Sequence, residues 1–169
     1  MRKNNFTIRL AVLADLDSLL LSIFERARLF MASVGNPHQW VQGYPGRSLM
    51  EAEILSSHCY VCLYESRIVG TFCFIPGPNP CYSVIEGGAW FSDAPYHVLH
   101  RLASDGSVRG IADACLEWCF QHTANLRVDT HQDNKVLQHI LAKHGFLYCG
   151  IIYVANGTPR LAYQKVISQ

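Results

Sequence analysis

At 169 residues and 19.0 kDa, the chain suits a single domain over residues 1–169. Folding would bury about 70% of the unfolded chain's surface, so neither disulfides nor a structural metal is required for stability. Half the residues are hydrophobic, 16% are charged, and 14 Lys+Arg face 13 Asp+Glu. This excludes a disordered chain and a nucleic-acid binder that works by neutralising phosphates. It does not exclude a local anion pocket built from backbone amides.

Phe6 to Val12 alternates apolar and polar residues like a strand. Asp15 is an N-cap candidate for a helix carrying Leu16, Leu19, Leu20, Ile23, Ala27 and Phe30, which Gly35-Asn36-Pro37 stops. The apolar stretch Leu10 to Phe24 is interrupted by Asp15 and Asp17 and lacks a small-residue cleavage site. No run reaches the roughly 18 apolar residues of a membrane span. An odd count of seven cysteines fits a reducing compartment, so a cytoplasmic protein is expected.

An aromatic-rich loop over 36–46 holds Trp40 and Tyr44, and a short helix follows from Ser48 to Ser57. Cys59–Tyr64 and Arg67–Ile75 form a hairpin about Glu65-Ser66, ended by the proline-rich 76–80. Residues 81–95 remain ambiguous, with a Gly87-Gly88 bend before Trp90. A strand over Tyr96–Ser104 leads through a turn to a helix over Val108–Gln121, then a strand over Asn125–Thr130. Asp133 or Asn134 opens a helix for which Gly145 is the C′ residue. Strands over Phe146–Val154 and Arg160–Val166 flank the hairpin turn Asn156-Gly157. The order β-α-α-β-β-β-α-β-α-β-β predicts a mixed sheet with helices on its faces.

The sharpest local feature lies between a strand and a helix, from Ala103 to Ala112. Amides at a helix start have no intrahelical partner and favour negative charge. Small residues at Ser107, Gly110 and Ala112 would admit a pyrophosphate, and Arg109 adds a cation. An ordinary tight turn is the plain alternative. Cys59-x-x-Cys62 has metal or redox spacing, but residues three apart on a strand point to opposite faces, and no second pair completes a ligand set. No metal is expected.

With the element order, the positions Ser107, Gly110 and Ala112 and the later block Asn134, Leu137, Ile140, Leu141, Gly145 and Phe146 make the chain resemble the GCN5-related N-acetyltransferase (GNAT) family. The family's loop has the form Gln/Arg-x-x-Gly-x-Gly/Ala, and its later signature runs Asn-x-x-Ala-x-x-aliphatic-Tyr-x-x-x-Gly-Phe. Two positions depart from it. Ser107 stands for Gln or Arg, and Leu141 for the tyrosine often used as general acid.

The resemblance implies an α/β fold of mixed α+β type: a mostly antiparallel sheet of six to seven strands, about four helices and splayed central strands. It implies acetyl-CoA as co-substrate. Leu102, Ala103 and Ser104 would pair with the pantetheine arm, amides from Val108 through Arg109, Gly110 and Ile111 to Ala112 would hold the pyrophosphate, and Asn134 would lie beside the pantetheine. The reaction implied is direct attack of a small-molecule amine on the thioester, in a ternary complex. Members are frequently homodimers. The rival reading is a catalytically idle acyl-CoA sensor, and a peptide or protein amine is the rival acceptor.

Proton carriers should lie near the splay. Tyr96 and His100 share a strand face, and an imidazole titrates near neutrality. A core histidine bonded to a neighbour is the alternative for His100. His131 sits at a strand end. Trp40, Tyr44 and Trp90 would wall the acceptor pocket, with core cover as the alternative. Arg101, Arg127 and Asp129 are strand charges that require partners, a mutual Arg–Asp pair being the simplest.

Overall fold

The computed structural model describes residues 5–168. Seven strands form one sheet: β1 (Phe6–Leu10), β2 (Cys59–Tyr64), β3 (Arg67–Pro76), β4 (His97–Ser104), β5 (Asn125–Thr130), β6 (Leu147–Tyr153) and β7 (Pro159–Val166). Their spatial order is β1-β2-β3-β4-β5-β7-β6. Every neighbouring pair is antiparallel except β4 and β5.

The first helix, α1 (13–33), starts with a 3-10 turn (Leu13–Asp15) and an α turn (Leu16–Ser18). A π turn (Leu19–Ile23) then leads into a regular segment (Phe24–Ser33). It is followed by α2 (Arg47–Leu55), α3 (Ile111–Phe120) and α4 (Lys135–Lys143). This is the mixed sheet with four helices that the element order predicted. No helix among the described residues is long and apolar enough to cross a membrane.

Alternation along the strands divides the core. Cys59, Val61 and Cys73 join Leu16, Leu19, Ile23, Phe24, Met50 and Ile54 beneath α1 and α2. Cys62, Phe72, Phe74 and Leu99 point the other way, onto Ile111, Cys115, Leu116 and Cys119 of α3 and Leu141 of α4. Cys59 and Cys62 therefore do lie on opposite faces. A third cluster joins Tyr82, Val98, Cys149, Ile152 and Ala162. Gly70 is where sheet and α3 come closest: a Cβ there would lie 2.6 Å from Ile111 Cγ2 and 3.0 Å from the Ala103 carbonyl oxygen.

Two irregularities in β4 shape the functional region. Its parallel pairing with β5 covers only His97↔Leu126, Val98↔Arg127 and Leu99↔Val128, although β4 runs on to Ser104. Beyond Leu99 the two strands separate, leaving that edge of β4 without a strand partner. On the other side, Cys73 pairs with His100 but Thr71 with Ala103, so β4 carries one extra residue. Arg101, at φ 54°, marks this bulge, which re-aims the side chains around it.

Several boundaries differ from the sequence reading. The first strand stops at Leu10, and Val12 begins the turn into α1. Tyr96 falls just outside β4, which starts at His97. The third helix starts at Ile111 instead of Val108, because Gly110 precedes it in the left-handed region at φ 89°, which no helical residue adopts. The ambiguous 81–95 is neither strand nor long helix. It opens on a 3-10 turn (Pro80–Tyr82) and bridges β6 at Glu86↔Ile151.

Candidate active site

A cavity of about 670 Å³ opens where β4 leaves β5. Its walls include Trp40 and Tyr44 of the loop after α1, His100, Arg101 and Leu102 of β4, Asp129 of β5, Asn134 at the head of α4, and Arg160 of β7. Gln39, Leu137 and Cys81 complete much of the remainder. Residues as far apart in the chain as Gln39 and Arg160, 121 positions, thus meet because the sheet order brings β4, β5 and β7 side by side.

On its wall, His100 Nε2 lies 3.3 Å from Asp129 Oδ2 and, behind the wall, 3.3 Å from the Tyr82 hydroxyl. Tyr82 donates to the same Asp129 oxygen at 2.6 Å. Burial alone would raise the Asp129 pKa. Hydrogen bonds from His100 and Tyr82 and the positive charge of Arg160 more than offset it, so the carboxyl is held below its usual range. Burial and the neighbouring Asp129 push the Tyr82 phenol well above its usual value, which keeps it a proton donor. With Nε2 turned to this pair, a proton there can bond to Asp129, leaving Nδ1 as the ring's acceptor.

The other strand charges do not form the mutual pair expected of them. Arg127 lies between two rings, 4.1 Å from the Trp90 centroid and 3.9 Å from that of Tyr96. It donates to the Ser92 carbonyl at 2.8 Å and faces Asp93 at 3.6 Å. Arg101 reaches Glu53 at 3.2 Å and donates to the Tyr44 hydroxyl at 3.0 Å. Asp129 is left to His100.

Tyr96, Trp90 and His131 stand away from the cavity wall. The Tyr96 hydroxyl accepts from the Asn79 amide at 2.8 Å, and the Trp90 indole donates to the Tyr82 carbonyl at 3.0 Å. Both therefore back up Tyr82 and Arg127. His131 Nδ1 accepts from the Asp133 amide at 3.0 Å, in the turn before α4. Tyr82 itself escaped the sequence reading: it sits in the one segment without periodicity, 47 positions from Asp129.

Asn134 caps α4, its Oδ1 accepting from the Leu137 amide at 3.1 Å, while its Nδ2 donates to Gln39 Oε1 at 3.0 Å. At the other end of the open edge, the loop from Asp105 to Gly110 leads into α3. Asp105 Oδ1 accepts from the Ser107 amide at 2.9 Å and from its hydroxyl at 2.5 Å. Arg67 clamps both residues, donating to Asp105 at 2.9 Å and to Ser107 Oγ at 3.1 Å. Ser107 is therefore engaged within the loop. The amides that open α3 lie beyond it, where a helix has no internal acceptor for them. Leu141, at the position of the family's tyrosine, is fully buried in the core. Among the described residues no group of three His, Cys, Asp or Glu side chains could hold a metal, and all seven cysteines are free.

No family model and no curated protein matches the chain. Solved structures do. An acetyltransferase of the GNAT family from Streptococcus agalactiae 2603 is 32% identical, with a TM-score of 0.88 over 97% of this chain and 96% of that one. GNAT-family acetyltransferases from Listeria monocytogenes 4b F2365 and Bacillus cereus ATCC 10987 share the fold. The first is 18% identical with a TM-score of 0.68, over 96% of this chain and 95% of that one. The second is 17% identical with a TM-score of 0.61, over 98% and 99%.

Proposed function

Since the chain belongs to the GNAT family of acetyltransferases, we propose that it transfers the acetyl group of acetyl-CoA to the amine of a small molecule, by direct attack within a ternary complex. The observation that carries this reading is the meeting, in one cavity, of the His100–Asp129 pair with the open edge of β4. When bound, acetyl-CoA supplies a thioester carbonyl activated towards an amine.

The residues fit such a co-substrate. The free edge of β4 around Leu102, Ala103 and Ser104 offers backbone donors and acceptors to the pantetheine amides, as a neighbouring strand would. The left-handed Gly110 turns the chain so that the amides from Val108 to Ala112 can gather at the head of α3, a site suited to pyrophosphate. Asn134 lines the cavity between these regions and the aromatic loop.

His100 takes the ammonium proton of the acceptor at Nδ1, and Asp129 stabilises the imidazolium that results. The amine nitrogen then forms the new C–N bond as the C–S bond breaks, and its second proton leaves to restore the group that protonates the sulfur. A proton must return to the departing sulfur, and Leu141 cannot provide it. The Tyr44 hydroxyl can: its oxygen accepts from Arg101, so its own hydrogen remains for donation into the cavity.

Two measurements test the proposal. Acetyl-CoA should raise the melting temperature, and thiol release should appear with primary amines. No stabilisation by any CoA ester would sink acyl-CoA binding. Stabilisation without thiol release across a broad amine panel would favour an idle sensor.

A further inference from the structure

Arg160 is 7% exposed and lines the cavity. Its Nη1 donates to Thr158 Oγ1 at 3.0 Å and the Pro159 carbonyl at 2.8 Å, and its Nη2 to the Gln39 carbonyl at 3.3 Å. All three acceptors are uncharged, and they engage three of the five guanidinium N–H donors. Among the described residues, no carboxylate lies within ion-pair distance of this group. The contrast with the other covered arginines is sharp, since Arg101 has Glu53 at 3.2 Å and Arg127 has Asp93 at 3.6 Å. A buried guanidinium with no carboxylate in contact is costly, so its opening onto a cavity suits an anion there.

The location of that anion follows from the sheet. Asp129 pairs with Ala162, and Arg160 lies two residues before Ala162, on the same face. Arg160 is thus the diagonal neighbour of Asp129, about 7–8 Å away across the strands. The two side chains feel each other electrostatically, yet Asp129 is bonded to His100 and Tyr82. A positive pole and a proton-accepting pole therefore sit on one wall at this diagonal spacing, beside the apolar surfaces of Trp40, Met31 and Val154.

We propose that the acceptor is an amino acid, its amine directed to His100 and Asp129, its carboxylate paired with Arg160, and its side chain laid against the Trp40 wall. This rests on the acetyl-transfer reading and names its substrate class. CoA does not supply the missing anion, because its phosphates are assigned to the head of α3.

The test uses CoA-saturated protein, in which no transfer can occur. Calorimetric titrations compare L-phenylalanine, L-methionine and L-leucine with their decarboxylated partners phenethylamine, 3-(methylthio)propylamine and isoamylamine. At least one amino acid should bind about tenfold or more tightly than its partner amine, the worth of a charge-assisted hydrogen bond. Arg160→Gln should remove that preference, and Arg160→Lys, which keeps the charge but loses the fork, should keep part of it. The proposal fails if no amino acid outbinds its amine, or if Arg160→Gln retains the preference at full size. Thiol release from acetyl-CoA with the same six compounds is read separately. Carboxylate-dependent binding without any release would leave the anion site standing and overturn acetyl transfer.

Discussion

His100 shows how far single residues could be interpreted without coordinates. Its place on a strand that leads into a glycine turn is readable, and so is Asn134 ahead of a helix. What defines the histidine chemically was not. Asp129 looked like the partner of an arginine because both kinds of charge occur in the same strands. The bulge at Arg101 and the two rings around Arg127 instead occupy the arginines, and Tyr82 comes from a segment without a pattern. Partners supplied by bulges and irregular loops leave no spacing to recognise. Replacing His100 by Ala should lower kcat by about 10²-fold or more, with the KM for acetyl-CoA almost unchanged. Steady-state kinetics at saturating acetyl-CoA would decide it, and unchanged kcat would remove His100 from the reaction. Tyr44→Phe should lower kcat while leaving acetyl-CoA binding intact; equal turnover would show that the sulfur takes its proton elsewhere.

At the level of elements, hydrophobic spacing located the helices and strands well and their ends less well. The apolar stripe carries Val108 into the third helix, but periodicity does not register a left-handed residue. Gly110 supplies that residue, so the chain reaches the axis of α3 from outside it and the helix begins three positions later. A side chain at φ 89° is strained by about 1–2 kcal/mol. Gly110→Ala should therefore lower the melting temperature by about 2–8 °C. It should also raise the KM for acetyl-CoA more than it changes kcat, because the loop is proposed to hold the co-substrate and not the reacting atoms. A KM equal to wild type would separate this loop from acetyl-CoA binding.

At the scale of the molecule, four carboxylates among the described residues are held below their usual range: Asp15 by Arg9, Asp105 by Ser107 and Arg67, Asp113 by His144 and Lys143, and Asp129 by His100 and Tyr82. In all four, burial pulls the other way and is outweighed. A depressed folded-state pKa stabilises the native chain above the unfolded value near 3.9, and that contribution disappears as pH falls through the folded pKa. The melting temperature should thus decline from about pH 5 downward, and a flat profile to pH 3 would contradict these pairings. The same molecule-wide view gives the parting of β4 from β5 another meaning. A row of backbone groups without a strand partner usually sits at the rim of a sheet, where it invites another chain to add on. Here it lies inside the sheet, flanked by paired strands, out of reach of a second protein's edge but open to a slender ligand carrying its own amides. On the proposed reading, the pantetheine arm would continue the sheet across this gap, and acetyl-CoA would stabilise the fold by mass action as its concentration rises above its Kd.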